Sequence, residues 1–233
     1  MACILNIETS TRVCSVAISL NGALLFERCD KEGPSHATIL GPFVSDALAF
    51  LRNKGWVLDA VAVSCGPGSY TGLRIGVSMA KGLCFAHNVP LIAIETTKIM
   101  AALVVDNGLA DSSALLCPMI DARRMEVYAA LYNKELEKVR DTQADIVDAD
   151  TYASYLAANR VLFFGDGAEK CREAIVGDNA VFISGIDPLA SAMCRLSDEA
   201  FSRKQFENTA YFEPFYLKEF VATKSKNKVL NQQ

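Results

Sequence analysis

Apolar residues along this chain fall into short solid runs and longer helical stripes, and the two kinds alternate in an order that repeats. Cys3–Ile7 reads as a buried strand, and Val13–Leu20 follows as a second one after the polar turn Glu8-Thr9-Ser10-Thr11-Arg12. Asn21-Gly22 is a two-residue hairpin signal, so Ala23–Cys29 returns as a third strand. Beyond Gly33-Pro34, Ser35 is suited to cap a helix. Ile39, Leu40, Phe43, Val44, Ala47, Leu48 and Leu51 then recur at helical spacing until Gly55. That predicts a helix over His36–Lys54. A strand at Val61–Ser64, a helix ending near Asn88, a strand at Leu91–Ile94 and a helix over Thr97–Val105 complete the first half.

Asn107-Gly108, Asp111 and Ser112-Ser113 mark a joint. After it come a strand at Ala114–Ile120, a turn at Asp121–Arg124, a strand at Met125–Tyr132 and an extended segment ending near Val147. A helix around Asp150–Ala158, a strand at Val161–Phe164 and the loop Gly165-Asp166-Gly167 follow. A helix to Val176, a strand at Val181–Ile183 and a helix over Pro188–Arg203 end the pattern. The second half therefore repeats the element order of the first. The expected fold is α/β, with two related lobes at residues 1–108 and 109–233, each a mixed β-sheet flanked by helices. Paired lobes of this kind leave a cleft between them.

The segment from Val61 to Cys84 carries the most distinctive chemistry. A strand enters the loop Gly66-Pro-Gly-Ser-Tyr-Thr-Gly-Leu-Arg-Ile-Gly76, which opens into a helix. Glycines at a helix N-terminus let backbone N–H groups approach an anion. The loop nevertheless has Thr71 where a dinucleotide fingerprint needs glycine, and Leu73-Arg74 where a Walker loop needs Lys-Ser or Lys-Thr. Candidate nucleotide contacts are Glu8, Thr9 and Ser10 in the first turn, Gly66, Gly68 and Ser69 in the loop, and Gly165, Asp166 and Gly167 in the second lobe.

Composition narrows the functional classes. The 233 residues are 51% hydrophobic, enough for a sizeable core, and no run of about 18 apolar residues is present for a membrane span. The start Met1-Ala-Cys-Ile-Leu-Asn lacks a basic signal-peptide segment, so a cytoplasmic location is expected. Eight scattered cysteines with no C-x-x-C pair read as reduced core thiols. The net charge of −4 argues against unaided nucleic-acid binding. The basic tail of Lys218, Lys224, Lys226 and Lys228 reads as frayed and solvated.

The duplicated plan looks like the fold shared by actin, Hsp70 and sugar kinases. Within it, four segments together resemble the TsaB (YeaZ) family of bacterial tRNA-modification proteins. They are Ile4–Thr11, Gly66–Gly76, Asp121–Arg124 with Val127-Tyr128, and Pro214-Phe-Tyr-Leu217. The resemblance implies a non-catalytic subunit that holds TsaD in its working form while TsaD threonylcarbamoylates adenosine 37 of tRNA. It further implies a TsaE-like ATPase as a second partner, a homodimer in isolation, and contact with tRNA only through the complex. Proteins of this kind were once labelled glycoproteases. An autonomous kinase or ATPase, or a metallopeptidase, are the competing classes.

The residues speak against both competitors. TsaD-like sequences place two metal-binding histidines one helical turn apart, whereas here His36 is followed at that spacing by Leu40, which has no lone pair to offer. His36 then reads as a local cap or surface residue, and His87 as a surface group near a helix end. Ser69 and Thr71 lack a nucleophile elbow. In nucleotide-binding relatives of the fold the first hairpin carries an Asp-x-Gly turn, and Glu8-Thr9-Ser10-Thr11 keeps a carboxylate but no glycine. No metal and no required cofactor are expected, with weak ATP or ADP binding left open.

Gly72, Gly76 and Ala80 instead form a narrow stripe at intervals of four, where another helix can approach closely. With Leu73 and Val77, and with Ile39, Leu40, Phe43, Val44 and Ala47 of the first helix, they make up the expected partner interface. The resemblance implies that two such helix pairs meet as a pseudo-symmetric four-helix contact. Arg74 is expected to brace the loop or Glu8, or to face the partner. Arg123 and Arg124 read as an exposed hairpin turn or as contacts to phosphate or a TsaE-like ATPase.

Overall fold

The computed structural model describes residues 2–33 and 36–218. The expected cap at Ser35 and the lysines at 224, 226 and 228 lie outside them. Two five-stranded sheets form the frame. The first has the order β3-β2-β1-β4-β5, from Cys3–Glu8 (β1), Cys14–Leu20 (β2), Ala23–Asp30 (β3), Ala60–Gly66 (β4) and Leu91–Glu95 (β5). The second has the order β8-β7-β6-β9-β10, from Leu115–Asp121 (β6), Glu126–Tyr132 (β7), Lys138–Ile146 (β8), Val161–Phe164 (β9) and Ala180–Ile183 (β10). In both, the first three strands pair antiparallel as a meander and the last two add in parallel. The duplicated topology is the one expected of the actin, Hsp70 and sugar-kinase plan.

The strands' period of two sends alternate side chains to opposite layers. Cys3, Leu5, Ile7, Val61 and Val63 face an outer layer made of His36–Lys54 (α1) and Tyr70–His87 (α2). Ile4, Ala60 and Ala62 face a central layer holding Thr96–Asp106 (α3) and Cys194–Ser202 (α5). The second sheet closes on the same central layer through Leu116, Ile120, Leu162 and Phe164, so one apolar core spans both lobes. The chain also crosses back. Ala190 N donates to Ser15 Oγ at 2.9 Å, Ala190 and Cys194 pack on Ala17, and Glu207 N donates to Leu91 O at 2.9 Å. Residues from Ala190 to Phe215 therefore contribute to the first lobe as well, although the sequence assigns them to the second.

The first half follows its hydrophobic pattern closely. Helix α1 runs straight through Pro42, because burial of Leu40, Val44, Ala47 and Leu51 outweighs the hydrogen bond that a proline removes. The second half departs from it. The helix expected over Asp150–Ala158 shrinks to Ala153–Leu156 (α4), because the Asp148 carboxylate takes bonds from Asp150 N, Thr151 N and Thr151 Oγ1 and holds a turn instead. The helix expected up to Val176 is only a 3-10 turn at Glu169–Cys171. Its buried anchors Ala168, Cys171 and Ile175 are too few to hold a segment below the roughly 12-residue length at which helices become self-sustaining.

All eight cysteines are free thiols, with Cys29 the exposed one. Among the described residues no helix is long and apolar enough to cross a membrane.

Candidate functional site

The glycine loop is built on the first lobe's own turn. The Gly66–Pro67 peptide is cis, and Gly66 has φ of +110°, a conformation that favours glycine. Ser69 caps α2 by accepting from Gly72 N at 3.3 Å, while its own N–H donates to Ser10 O at 2.6 Å. Thr9 Oγ1 donates to Gly72 O at 2.8 Å. A Cβ on Gly68 would strike Ser10 O, one on Gly72 would strike Thr9 O, and one on Gly76 would strike Thr9 Oγ1. The close approach that these glycines permit is thus taken up by the chain itself.

That geometry overturns two expectations. The stripe of Gly72, Gly76 and Ala80 does not face a partner, because it is buried on the β1–β2 turn and sheet, with Leu73 and Val77 beside it. Leu40, Val44 and Ala47 of α1 are likewise buried in the lobe's own core. Only Ile39 and Phe43 of the expected interface stay half-buried, at the edge of that core. Of the two readings of His36, a local cap or a surface residue, the structure takes the first. His36 is 7% exposed, and its Nε2–H donates to Thr11 O at 2.7 Å, fixing the first turn of α1 to the same hairpin.

A phosphate fits this loop poorly. The loop amide at Ser69 is already spent on Ser10 O, and Thr9 and Ser10 are fully buried where an Asp-x-Gly turn would leave open backbone. Glu8 is also fully buried. Its Oε1 accepts from Ser10 N at 2.5 Å, while Oε2 has no partner among the described residues. Burial pushes the Glu8 carboxyl up to about 7, against the hydrogen bond from Ser10 that lowers it. Gly165 and Gly167 are pressed on the backbone of β6, facing Met119 O and Ile120 C respectively. Asp166 Oδ1 accepts from Asp121 N at 3.0 Å, tying the two turns of the second lobe together.

The sequence-predicted nucleotide residues do gather around one inter-lobe cleft of about 760 Å³. Ser10, Gly68, Ser69 and Asp166 line it, together with Arg12, His36 and Arg123. Glu8, Thr9, Gly66, Gly165 and Gly167 do not, being packed beneath its walls. Arg123 and Arg124 form the expected hairpin turn, both with positive φ (72° and 50°), and Arg123 N donates to Asp121 Oδ1 at 2.9 Å.

A second feature lies along α2 beside α1, at the outer edge of the lobe's core. A groove of about 790 Å³ runs along Tyr70, Arg74, Ile75, Met79 and Leu83, with Ala37 of α1 on its other side. Ser78 and Gly82 form its small-residue floor, and a Cβ on Gly82 would meet nothing within 4 Å. Phe85 stands 88% exposed one turn further on. Arg74 does not reach Glu8. Its Nη1 donates to Tyr70 Oη at 3.0 Å, and its guanidinium lies 5.3 Å from the Tyr70 ring centroid. The sequence contains this second register, with Ile75–Met79 and Ser78–Gly82 both spaced by four, but spacing alone does not say which register faces inward.

Several known proteins are similar to this chain. Residues 32–232 match the family model described as TsaD: tRNA N6-adenosine threonylcarbamoyltransferase. The tRNA threonylcarbamoyladenosine biosynthesis protein TsaB of Escherichia coli (strain K12) is 36% identical over 135 residues, which cover 57% of this chain and 55% of that protein. The protein of the same description from Bacillus subtilis (strain 168) is 33% identical over 166 residues, covering 70% of each. The matched part thus spans about half of the first relative's length and over two thirds of the second's. A crystal structure from Pseudomonas aeruginosa, described as an uncharacterized protein with similarity to peptidase YEAZ, superposes with a TM-score of 0.80 at 26% identity. It covers 94% of this chain and 100% of that one.

Proposed function

Because this chain belongs to the TsaB (YeaZ) family, we propose that it is a non-catalytic accessory subunit that binds and activates a TsaD-like transferase in threonylcarbamoylation of adenosine 37 of tRNA. The observation that carries the reading is the outward groove on α2. It offers the open edges of Ile75, Met79 and Leu83, each half-buried against the lobe's core, around an exposed floor at Ser78 and Gly82, and a Cβ on Gly82 would meet nothing within 4 Å.

The kind of partner follows from likeness. The TsaD family model matches this chain across α1 and α2, so the proposed partner carries an equivalent helix pair, and two equivalent faces pack about a pseudo-twofold axis. The same face pairs two copies of this chain when no transferase is present. A TsaE-like ATPase joins the assembly once it has formed. The tRNA is met through the complex, as suits a net charge of −4, and the location is cytoplasmic. No nucleotide is needed as a cofactor, since the loop that would hold one is bonded to the β1–β2 turn, and any ATP or ADP binding is weak. Hydrolysis or transfer by the chain alone is disfavoured by the donor set. His36 is engaged by Thr11 O, and Leu40 fills the place of a second ligand inside the core.

The test is co-purification of the chain with the TsaD-like subunit of its own cell, followed by assay of tRNA threonylcarbamoylation. The expected result is a stable complex whose transferase activity requires this chain, while the chain alone modifies nothing. Full activity of the TsaD-like subunit without it, or modification by the isolated chain, would overturn the reading.

A further inference from the structure

The segment after α5 runs back along the first lobe as a strap. Lys81 Nζ donates to Ala210 O (3.1 Å) and Phe212 O (3.2 Å), fastening the strap to α2. Phe215 N donates to Cys65 O at 2.7 Å, at the C-terminal end of β4. Phe215 O lies 2.7 Å from where a Cβ of Gly66 would stand, so the glycine at the loop's entry is what lets the strap settle there. Lys218 Nζ then pairs with Glu126 on the second lobe, so this lysine is held and not frayed. The Pro214–Leu217 motif is therefore a structural part of the glycine loop.

Between those anchors, the Tyr216 ring lies 5.0 Å from the Tyr70 ring, tilted by 37°. Tyr70 in turn accepts the bond from Arg74 and lies beneath its guanidinium. The sequence strap, Tyr216, Tyr70, Arg74 is thus a continuous chain of contacts that ends at the mouth of the groove, where Tyr70 and Arg74 are lining residues. Arginine has five N–H donors. The contact to Tyr70 uses one nitrogen, and the side chain is exposed. Holding a long side chain in place beforehand removes an entropy cost that binding would otherwise incur.

We infer that the strap positions Arg74, through Tyr216 and Tyr70, to receive an aspartate or glutamate side chain from the partner helix that occupies the groove. This rests on the docking reading above and names what sets its register. Packing of apolar side chains along a smooth face leaves a helix free to slide, whereas one charge pair at the end of that face fixes orientation. A carboxylate matches the planar guanidinium fork through two parallel bonds, which a lysine at this position would not supply.

The test is a double-mutant cycle on the full chain, with affinity for the TsaD-like subunit read by titration calorimetry and the fold checked by thermal unfolding. Arg74→Gln and Tyr216→Ala are each expected to weaken binding about tenfold. The double variant is expected to be little worse than either single one, and Tyr216→Phe to retain wild-type affinity. Binding by Arg74→Gln is expected to lose most of its dependence on salt. Independent, additive losses, or no loss with Tyr216→Ala, would overturn the inference while leaving docking in place if Gly82→Leu abolishes the complex. If Gly82→Leu also binds normally, both the inference and the docking reading fall.

Discussion

Helix α2 has two faces lined with small residues, and their fates differ. On the inner face Gly72, Gly76 and Ala80 are buried, and the two glycines let the helix sink onto Thr9 until atoms touch. On the outer face Ser78 and Gly82 leave an open floor between Ile75 and Met79. A glycine on a helix therefore signals close approach without saying of what. Here the neighbour on one side is the chain's own hairpin, and on the other the floor stands open. A comparison of lobes makes the same point, because the second lobe reduces the counterparts of α1 and α2 to four residues and a 3-10 turn. It keeps the sheet and, among the described residues, has no pair of long helices that could present such a face.

The comparison of faces breaks most sharply at Gly76. Gly76→Leu would drive a side chain into Thr9, so we expect loss of more than about 4 kcal/mol and little folded protein, measured by thermal unfolding. A result within 1 kcal/mol of wild type, roughly what a surface change gives, would remove the inner-face account.

Next in size is Glu8, buried under the same hairpin. Its carboxyl sits at about 7 when folded against an ordinary 4.5, so the folded chain keeps a proton that the unfolded chain has released in that window. The stability owed to this group is complete below pH 4.5 and is lost as the pH rises to about 7. Glu8→Gln has no proton to lose, so its stability relative to wild type should improve by on the order of 3 kcal/mol from pH 4.5 to about pH 8, read by denaturant titration. Parallel pH profiles for the two proteins would show that the Glu8 carboxyl titrates alike in the folded and unfolded chain, and would contradict the burial account.

The smallest effect is a difference in sign. Gly76→Ala should destabilise by about 1–3 kcal/mol through overpacking, while Gly82→Ala should stabilise by up to about 1 kcal/mol through helix propensity. Equal effects at the two sites would mean that the faces are not distinct.

Much of the frame was legible in the sequence because local pattern and tertiary packing agree there. Asn21-Gly22 does turn a hairpin, and α1 covers the predicted His36–Lys54 despite Pro42. The second lobe was less legible, since its helices are too short for a stripe to decide them and Asp148 competes through its side chain. The candidate site was half legible. The glycines of α2 were legible as a place of close approach, yet which face lies on the chain depends on where the β1–β2 turn lies, a contact between residues some sixty positions apart. The strap shows the same limit, as its motif stands out in the sequence while its contacts with Cys65 and Tyr70 are long-range.

The central claim is that the outer face of α2, and not its inner stripe, meets the TsaD-like partner. Gly82→Leu tests it directly, because the monomer has room for the side chain and a docked helix does not. Titration calorimetry against the TsaD-like subunit should show affinity reduced at least about a hundredfold, nearly 3 kcal/mol, with the monomer's melting temperature unchanged or raised. Wild-type affinity in a folded Gly82→Leu protein would contradict the account.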